Sequence, residues 1–347
     1  MPDRQRARDL GIVVGGGRPG THNAITDVPG VCVGHTTLRR PPDIHTGVTA
    51  IVPDGIGPNR PLPAGLFTGN GHGKLIGATQ IAELGVIESP VVLTATLSAF
   101  RAADALVSWM LSRPDCVGVE TFNPVVGECN DGYLSDIRAR PVTEEHVLAA
   151  VDSATSGPVA EGCVGAGTGT GALGFKAGIG TASRVLDLDG ARVTLGVLVQ
   201  ANFGGTLRVL GRPVTPASLG LTPPDNPDTG SCMVVAATDA PLDARQLARL
   251  ARRLVFALAR VGAAYSHGSG DYGIAFSVRS GQAPPADAAL SRLFDAALES
   301  VEEAVLNSLV AATTTRGRRG RVLHALPLPR LLELVNRPHG RVSDLGE

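Results

Sequence analysis

A chain of 347 residues with 31 lysines and arginines against 32 aspartates and glutamates is long enough to bury a large core. It lacks the basic stripe that a nucleic-acid partner requires. Aromatic residues make up only 3% while glycine numbers 44, a composition that implies closely approaching backbones. Positive charge is almost wholly arginine, Lys74 and Lys176 being the only lysines. Cys32, Cys116, Cys129, Cys163 and Cys232 are scattered, odd in number and without a CxxC pair. Free thiols in a reducing compartment fit better than a disulfide framework or a zinc site. The opening MPDRQRARDLGIVVGGG has no apolar signal region, and no apolar run nears the ~20 residues of a membrane span. A soluble cytoplasmic protein with no membrane partner is expected.

In chain order, β-branched runs between Gly and Pro turns predict strands near residues 30–35, 48–52 and 91–96. Helices are expected over 75–84, 99–110 and 143–154, the last with Thr143 as N-cap and Glu144 and Glu145 in its first turn. A glycine-dense tract, 165–174, precedes a strand over 192–201. A linker-like stretch, 215–230, leads into an apolar strand that begins at Ser231. Asp243 caps a helix on which Leu247, Leu250, Leu254, Leu258 and Val261 share a face. A strand over 274–279 and a helix over 287–311 follow. Interleaved strands and amphipathic helices suggest two sheets between helix layers, or one sheet covered on both faces. The Ser231 strand, its helix and the strand after it are expected to be neighbours.

The loop Asp225-Asn-Pro-Asp-Thr-Gly230 ends against Ser231. Were the Gly230–Ser231 bond cut, Ser231 would carry a hydroxyl and a free α-amine with a pKa of about 8. One residue would then supply both nucleophile and base. The plainer reading is a loop entering a core strand. Gly268-Ser269-Gly270-Asp271 could bring hydroxyl and carboxylate to one point, or form only a tight turn. Asn202, at the end of its strand, could donate to a developing oxyanion or merely cap the strand. The run from Val126 to Tyr133 packs Glu128, Asn130 and Tyr133 into a turn. Gly169–Gly174 and Gly268–Gly273 match GxGxxG, but neither has the strand before and the helix after that nucleotide binding needs. No GxSxG frames a Ser/His/Asp triad. His146 reads as a surface residue, and metal ligation by His72 or His267 stays open.

Taken in order, the motifs resemble the DmpA-type L-aminopeptidase/D-amidase-esterases, a group that includes β-peptidyl aminopeptidases. The resemblance lies in residues 6–11, 23–31, 34–38, 128–136, 199–204, 230–239, 268–276 and 303–309, and so runs over nearly the whole chain. It implies a four-layered αββα sandwich, similar to N-terminal-nucleophile hydrolases. It also implies one domain that cuts itself into residues 1–230 and 231–347, and an aminopeptidase working without cofactor or metal on small peptides or aminoacyl amides and esters. By the same resemblance Ser231 is the nucleophile and Asn202 the oxyanion donor. Ser269 and Asp271 tune the Ser231 amine and hydroxyl, Tyr133 lines the site and Glu128 holds the substrate ammonium. Some relatives carry Glu where this chain has the shorter Asp271. A homotetramer of cleaved pairs is the implied assembly. The alternatives are a β-peptidyl or ω-amino-acid oligomer hydrolase of the same fold, an autocleaved acyltransferase, and an uncleaved binding protein.

Overall fold

Apolar residues on both faces of the central strands force those strands to be covered twice, and the architecture follows from that requirement. The computed structural model describes residues 5–188, 190–225 and 230–337. The first half contains β1 (Val31–Arg40), β2 (Ile44–Pro53), β3 (Leu62–Gly71), β4 (Leu75–Ile76), α1 (Ala78–Leu84), β5 (Val86–Ile87), β6 (Val91–Ala95), α2 (Ala99–Ser112), β7 (Val125–Cys129) and α3 (Glu144–Asp152). Next come a short hairpin, β8 (Gly171–Ala172) and β9 (Phe175–Lys176), then β10 (Ile179–Leu188), β11 (Ala191–Asn202), β12 (Leu207–Val209) and β13 (Arg212–Val214). The chain ends with β14 (Ser231–Thr238), α4 (Ala244–Ala257), β15 (Gly270–Ser277), α5 (Leu290–Val310), β16 (Thr315–Arg316), β17 (Val322–Leu323) and α6 (Leu328–Asn336).

Two sheets stack. One has the order β10-β11-β14-β15-β3-β5 and the other β1-β2-β6-β7-β4. Most neighbours are antiparallel, but β14 with β15 and β6 with β7 are parallel, each pair joined through a helix, α4 or α2. The expected adjacency of the Ser231 strand, its helix and the next strand is this β14-α4-β15 unit.

Three apolar layers result. Leu247, Leu250 and Leu254 of α4 and Val301 and Val305 of α5 pack with Val197, Cys232 and Val234. Met233, Val235 and Ile274 meet Leu93, Val125 and Cys129 between the sheets. Val48, Val92 and Val126 pack with Leu106, Met110, Val147 and Val151 of α2 and α3. This is the αββα sandwich. Small residues set its spacing: a β-carbon at Gly65 would lie 2.1 Å from Ala248 N, and one at Gly180 would lie 1.9 Å from Ala304 O.

Several local expectations shift. The helix expected over 75–84 begins only at Ala78, because Gly77 turns the chain at φ +86° and residues 75–76 pair with β7. Residues 125–129 are a buried strand, so Glu128 stands on β7 and the turn begins after it. The last sheet strand starts at Gly270, four residues earlier than its apolar run suggests, because it pairs with β14 from Ser231 onward. No helix follows Gly174; a hairpin strand does. All five cysteines are free. Among the described residues, no helix is long and apolar enough to cross a membrane.

Candidate active site

The register of the six-stranded sheet assembles the site. Ser231 opens β14, with Asn202 opposite it on β11 and Gly270 opposite it on β15. Strand alternation puts the side chains of Ser231 and Met233 on the face toward the second sheet, and Cys232 on the α4 side. Asn202 shares the Ser231 face. Asp271, opposite Cys232 and alternating with Tyr272, lies on the α4 side, where its β-carbon is next to Gly69 and Val255. Ser231, Asn202, Ser269 and Asp271 are all buried.

Hydrogen bonds fix the orientation of the Asn202 amide. Its Oδ1 accepts from the Gly171 N–H at 3.2 Å and its Nδ2 donates to the Asn130 carbonyl at 3.0 Å. A primary amide has two N–H donors, and the bond to Asn130 engages one of them. Ser269 Oγ donates to Asp271 Oδ1 at 2.8 Å, which brings hydroxyl and carboxylate together. Asp271 Oδ2 is buried with no hydrogen-bond partner among the described residues. Burial pushes the Asp271 carboxyl above the usual carboxylate range, and the Ser269 hydrogen bond opposes that shift. Burial also raises the Cys129 thiol, which therefore stays protonated and donates to the Ser231 carbonyl at 3.2 Å.

Gly230 is held tightly. A β-carbon there would lie 2.2 Å from the Asn202 carbonyl oxygen and 2.5 Å from Phe203 Cα, so the residue before the serine has to be glycine. Residues 226–229 of the preceding loop lie outside the described residues. A cleft beside the strand ends is lined by Asn130, Tyr133, Gly171, Phe175, Asn202 and Pro224. Tyr133 is thus brought to Asn202, with the Arg321 guanidinium 4.9 Å from its ring centroid.

Glu128 is buried at 2% exposure, with Oε1 accepting from the Lys74 N–H at 2.8 Å and Oε2 from the Thr96 hydroxyl. A β-carbon at Gly73 would lie 3.0 Å from Tyr272 Cε2 and 3.3 Å from both Glu128 Oε1 and Gly270 Cα. That contact brings Glu128 to the strand end that faces Ser231. Lys74 and Thr96 carry no motif, and only the folded chain gathers them with Asn130 and Gly171. His72 and His267 stand with ring centroids 6.0 Å apart; no cluster of three metal-ligating side chains occurs among the described residues. His146 is half-buried, its Nδ1 accepting from the Thr143 N–H at 3.1 Å.

A family model described as Peptidase family S58 matches residues 23–323. The chain belongs to peptidase family S58. It is 41% identical to the β-peptidyl aminopeptidase BapA of Sphingosinicella microcystinivorans, over 96% of this chain and 92% of that one. A Burkholderia sp. β-aminopeptidase structure superposes with a TM-score of 0.90 at 41% identity, covering 96% of this chain and all (100%) of the other. The L-aminopeptidase D-Ala-esterase/amidase of Ochrobactrum anthropi, described as a prototype of serine aminopeptidases and a variant of the Ntn-hydrolase fold, superposes with a TM-score of 0.84. Its identity is 39%, over 94% of this chain and 96% of that one. This S58 chain is accordingly a serine-type aminopeptidase with an Ntn-hydrolase fold.

Proposed function

We propose that the chain cuts itself between Gly230 and Ser231, and that the freed Ser231 removes N-terminal residues from peptides and aminoacyl amides or esters. The observation that carries this is the register: a buried serine, directly after an obligatory glycine, faces Asn202 on one neighbouring strand and Gly270 on the other. In the uncut chain Ser231 Oγ attacks the Gly230 carbonyl carbon. The acyl group passes from nitrogen to oxygen, and water cleaves the resulting ester.

The released α-amine then takes the hydroxyl proton as Oγ attacks a substrate carbonyl. The amine also gains a partner, because Asp271 Oδ2 is buried, unpaired among the described residues and one residue away in register. The remaining Asn202 N–H stabilises the tetrahedral oxyanion, and water releases the acyl group. Glu128, whose oxygens keep lone pairs beyond the Lys74 and Thr96 bonds, holds the substrate ammonium. That contact restricts action to the first residue. Tyr133 lines the cleft for the leaving peptide.

Relatives bearing the name β-peptidyl aminopeptidase favour β-aminoacyl substrates as the second reading. A homotetramer of cleaved pairs and a cytoplasmic location complete the proposal, the former to be checked by light scattering.

Intact mass with N-terminal sequencing of the active preparation tests the core of it: a second N-terminus beginning Ser-Cys-Met-Val is expected. Ser231→Ala should remain uncut and inactive. Activity in a preparation that holds only the uncut chain would overturn the mechanism.

A further inference from the structure

The aminopeptidase chemistry uses Glu128 but leaves its neighbour Lys74 without a task. Lys74 is one of only two lysines in the chain. It sits between β3 and β4, next to Gly73, which packs on Gly270. Its ammonium lies 3.9 Å from Glu128 Oε1, and its side chain is 40% exposed where that of Glu128 is 2%. A cation therefore stands on the solvent side of the carboxylate that receives the substrate's amine. For a simple aminoacyl substrate this is an awkward neighbour, since it repels the incoming ammonium.

The pair becomes complementary when the substrate brings both charges on one carbon. By ordinary bond lengths, an ammonium nitrogen and the nearer oxygen of a carboxylate on the same carbon are about 3 Å apart, comparable to the 3.9 Å of the Glu128–Lys74 pair. With its α-carboxylate free, such a residue is linked to the next one through its side-chain carbonyl. An aspartyl residue linked in this way is a β-aminoacyl group, the linkage that the names of the Sphingosinicella relatives carry.

We propose that Glu128 and Lys74 form a zwitterion subsite, and that this enzyme releases β-linked aspartyl residues from peptide N-termini. The inference rests on the proposed role of Glu128 as ammonium anchor. The bond broken is the amide between the aspartyl side-chain carbonyl and the next nitrogen. Water supplies hydroxyl to the acyl carbon and a proton to the leaving amine, so free aspartate is released.

The test compares two anilides that differ only by the carboxylate, β-aspartyl and β-alanyl p-nitroanilide, with the cleaved enzyme. Wild type should favour the β-aspartyl substrate about tenfold in kcat/KM, the size of one partly exposed charged contact. Lys74→Met should abolish that preference, mainly through KM, and Lys74→Arg should keep most of it. A wild-type preference for β-alanyl, or a ratio that Lys74→Met does not move, overturns the proposal. Glu128→Gln separates the underlying reading, because it should depress both substrates alike. Turnover of β-alanyl anilide that survives this substitution removes the ammonium anchor, and the subsite with it.

Discussion

Replacing Gly230 by alanine sets a geometric test of self-cleavage. The new β-carbon would lie 2.2 Å from Asn202 O and 2.5 Å from Phe203 Cα. Asn202 is held in the ladder opposite Ser231 and through its amide to Gly171 and Asn130, so the peptide to be cut has to give way. Ordinary contact begins at 3.4 Å, which makes the displacement 3.4 − 2.2, or about 1.2 Å. A misplacement of ~1 Å at a reacting carbonyl can cost ~100-fold in rate. Gly230→Ala should therefore mature about 100-fold more slowly than wild type. The assay is a time course on a denaturing gel, following the full chain into fragments of 230 and 347 − 230 = 117 residues. To separate slow chemistry from misfolding, Gly230→Ala is also placed in the Ser231→Ala background, where the melting temperature of the uncut chain reports the cost to folding alone. Maturation of Gly230→Ala at the wild-type rate would refute the reasoning.

Asn202→Ala should lower kcat by ~10² to 10³, the usual cost of one oxyanion donor; a loss below tenfold in steady-state kinetics would remove it from that role. Asp131 is buried beside Asn130, and burial raises its carboxyl from 3.8 to about 7. Between these values the folded chain keeps a proton that the unfolded chain has lost, so stability falls as pH rises through that window. Asp131→Asn should thus be nearly neutral at pH 4 and stabilising at pH 8, by ~4 kcal/mol at most; urea unfolding that shows the same difference at both pH values would contradict this. Gly65→Ala drives a β-carbon into the α4 backbone at Ala248 and should destabilise by about 3 kcal/mol. A loss under ~1 kcal/mol in the same unfolding assay would mean that α4 can withdraw freely.

Much of the proposed catalytic row is legible from local chemistry. Ser231 follows a turn loop and opens an apolar run, Asn202 ends a β-branched run, and Ser269 and Asp271 sit two apart among glycines. Their convergence is not local, because it depends on β11, β14 and β15 lying side by side. Strand β3 escapes a propensity reading, since LPAGLFTGNG carries a proline and glycines. It is a strand because Gly65 lets the α4 backbone lie against it. Glu128 reads as a turn residue beside Asn130, Asp131 and Gly132, yet parallel pairing with Thr94 draws it into β7. Lys74 gives no signal at all, because its meaning comes from a carboxylate 54 positions away.

The strand order β10-β11-β14-β15-β3-β5 has a consequence for the two pieces that the proposed scission would leave. Both strands contributed by residues 231–347 lie in the middle of the sheet, bordered on each side by strands from residues 1–230. The two pieces are interleaved like clasped fingers, so parting them means tearing two ladders and melting the core. Maturation by that scission would work as a ratchet: a nascent single chain can find this arrangement by intramolecular folding, whereas denatured halves would have to meet from solution. A heated mature sample should fail to renature under dilution that still permits recovery of the intact Ser231→Ala chain.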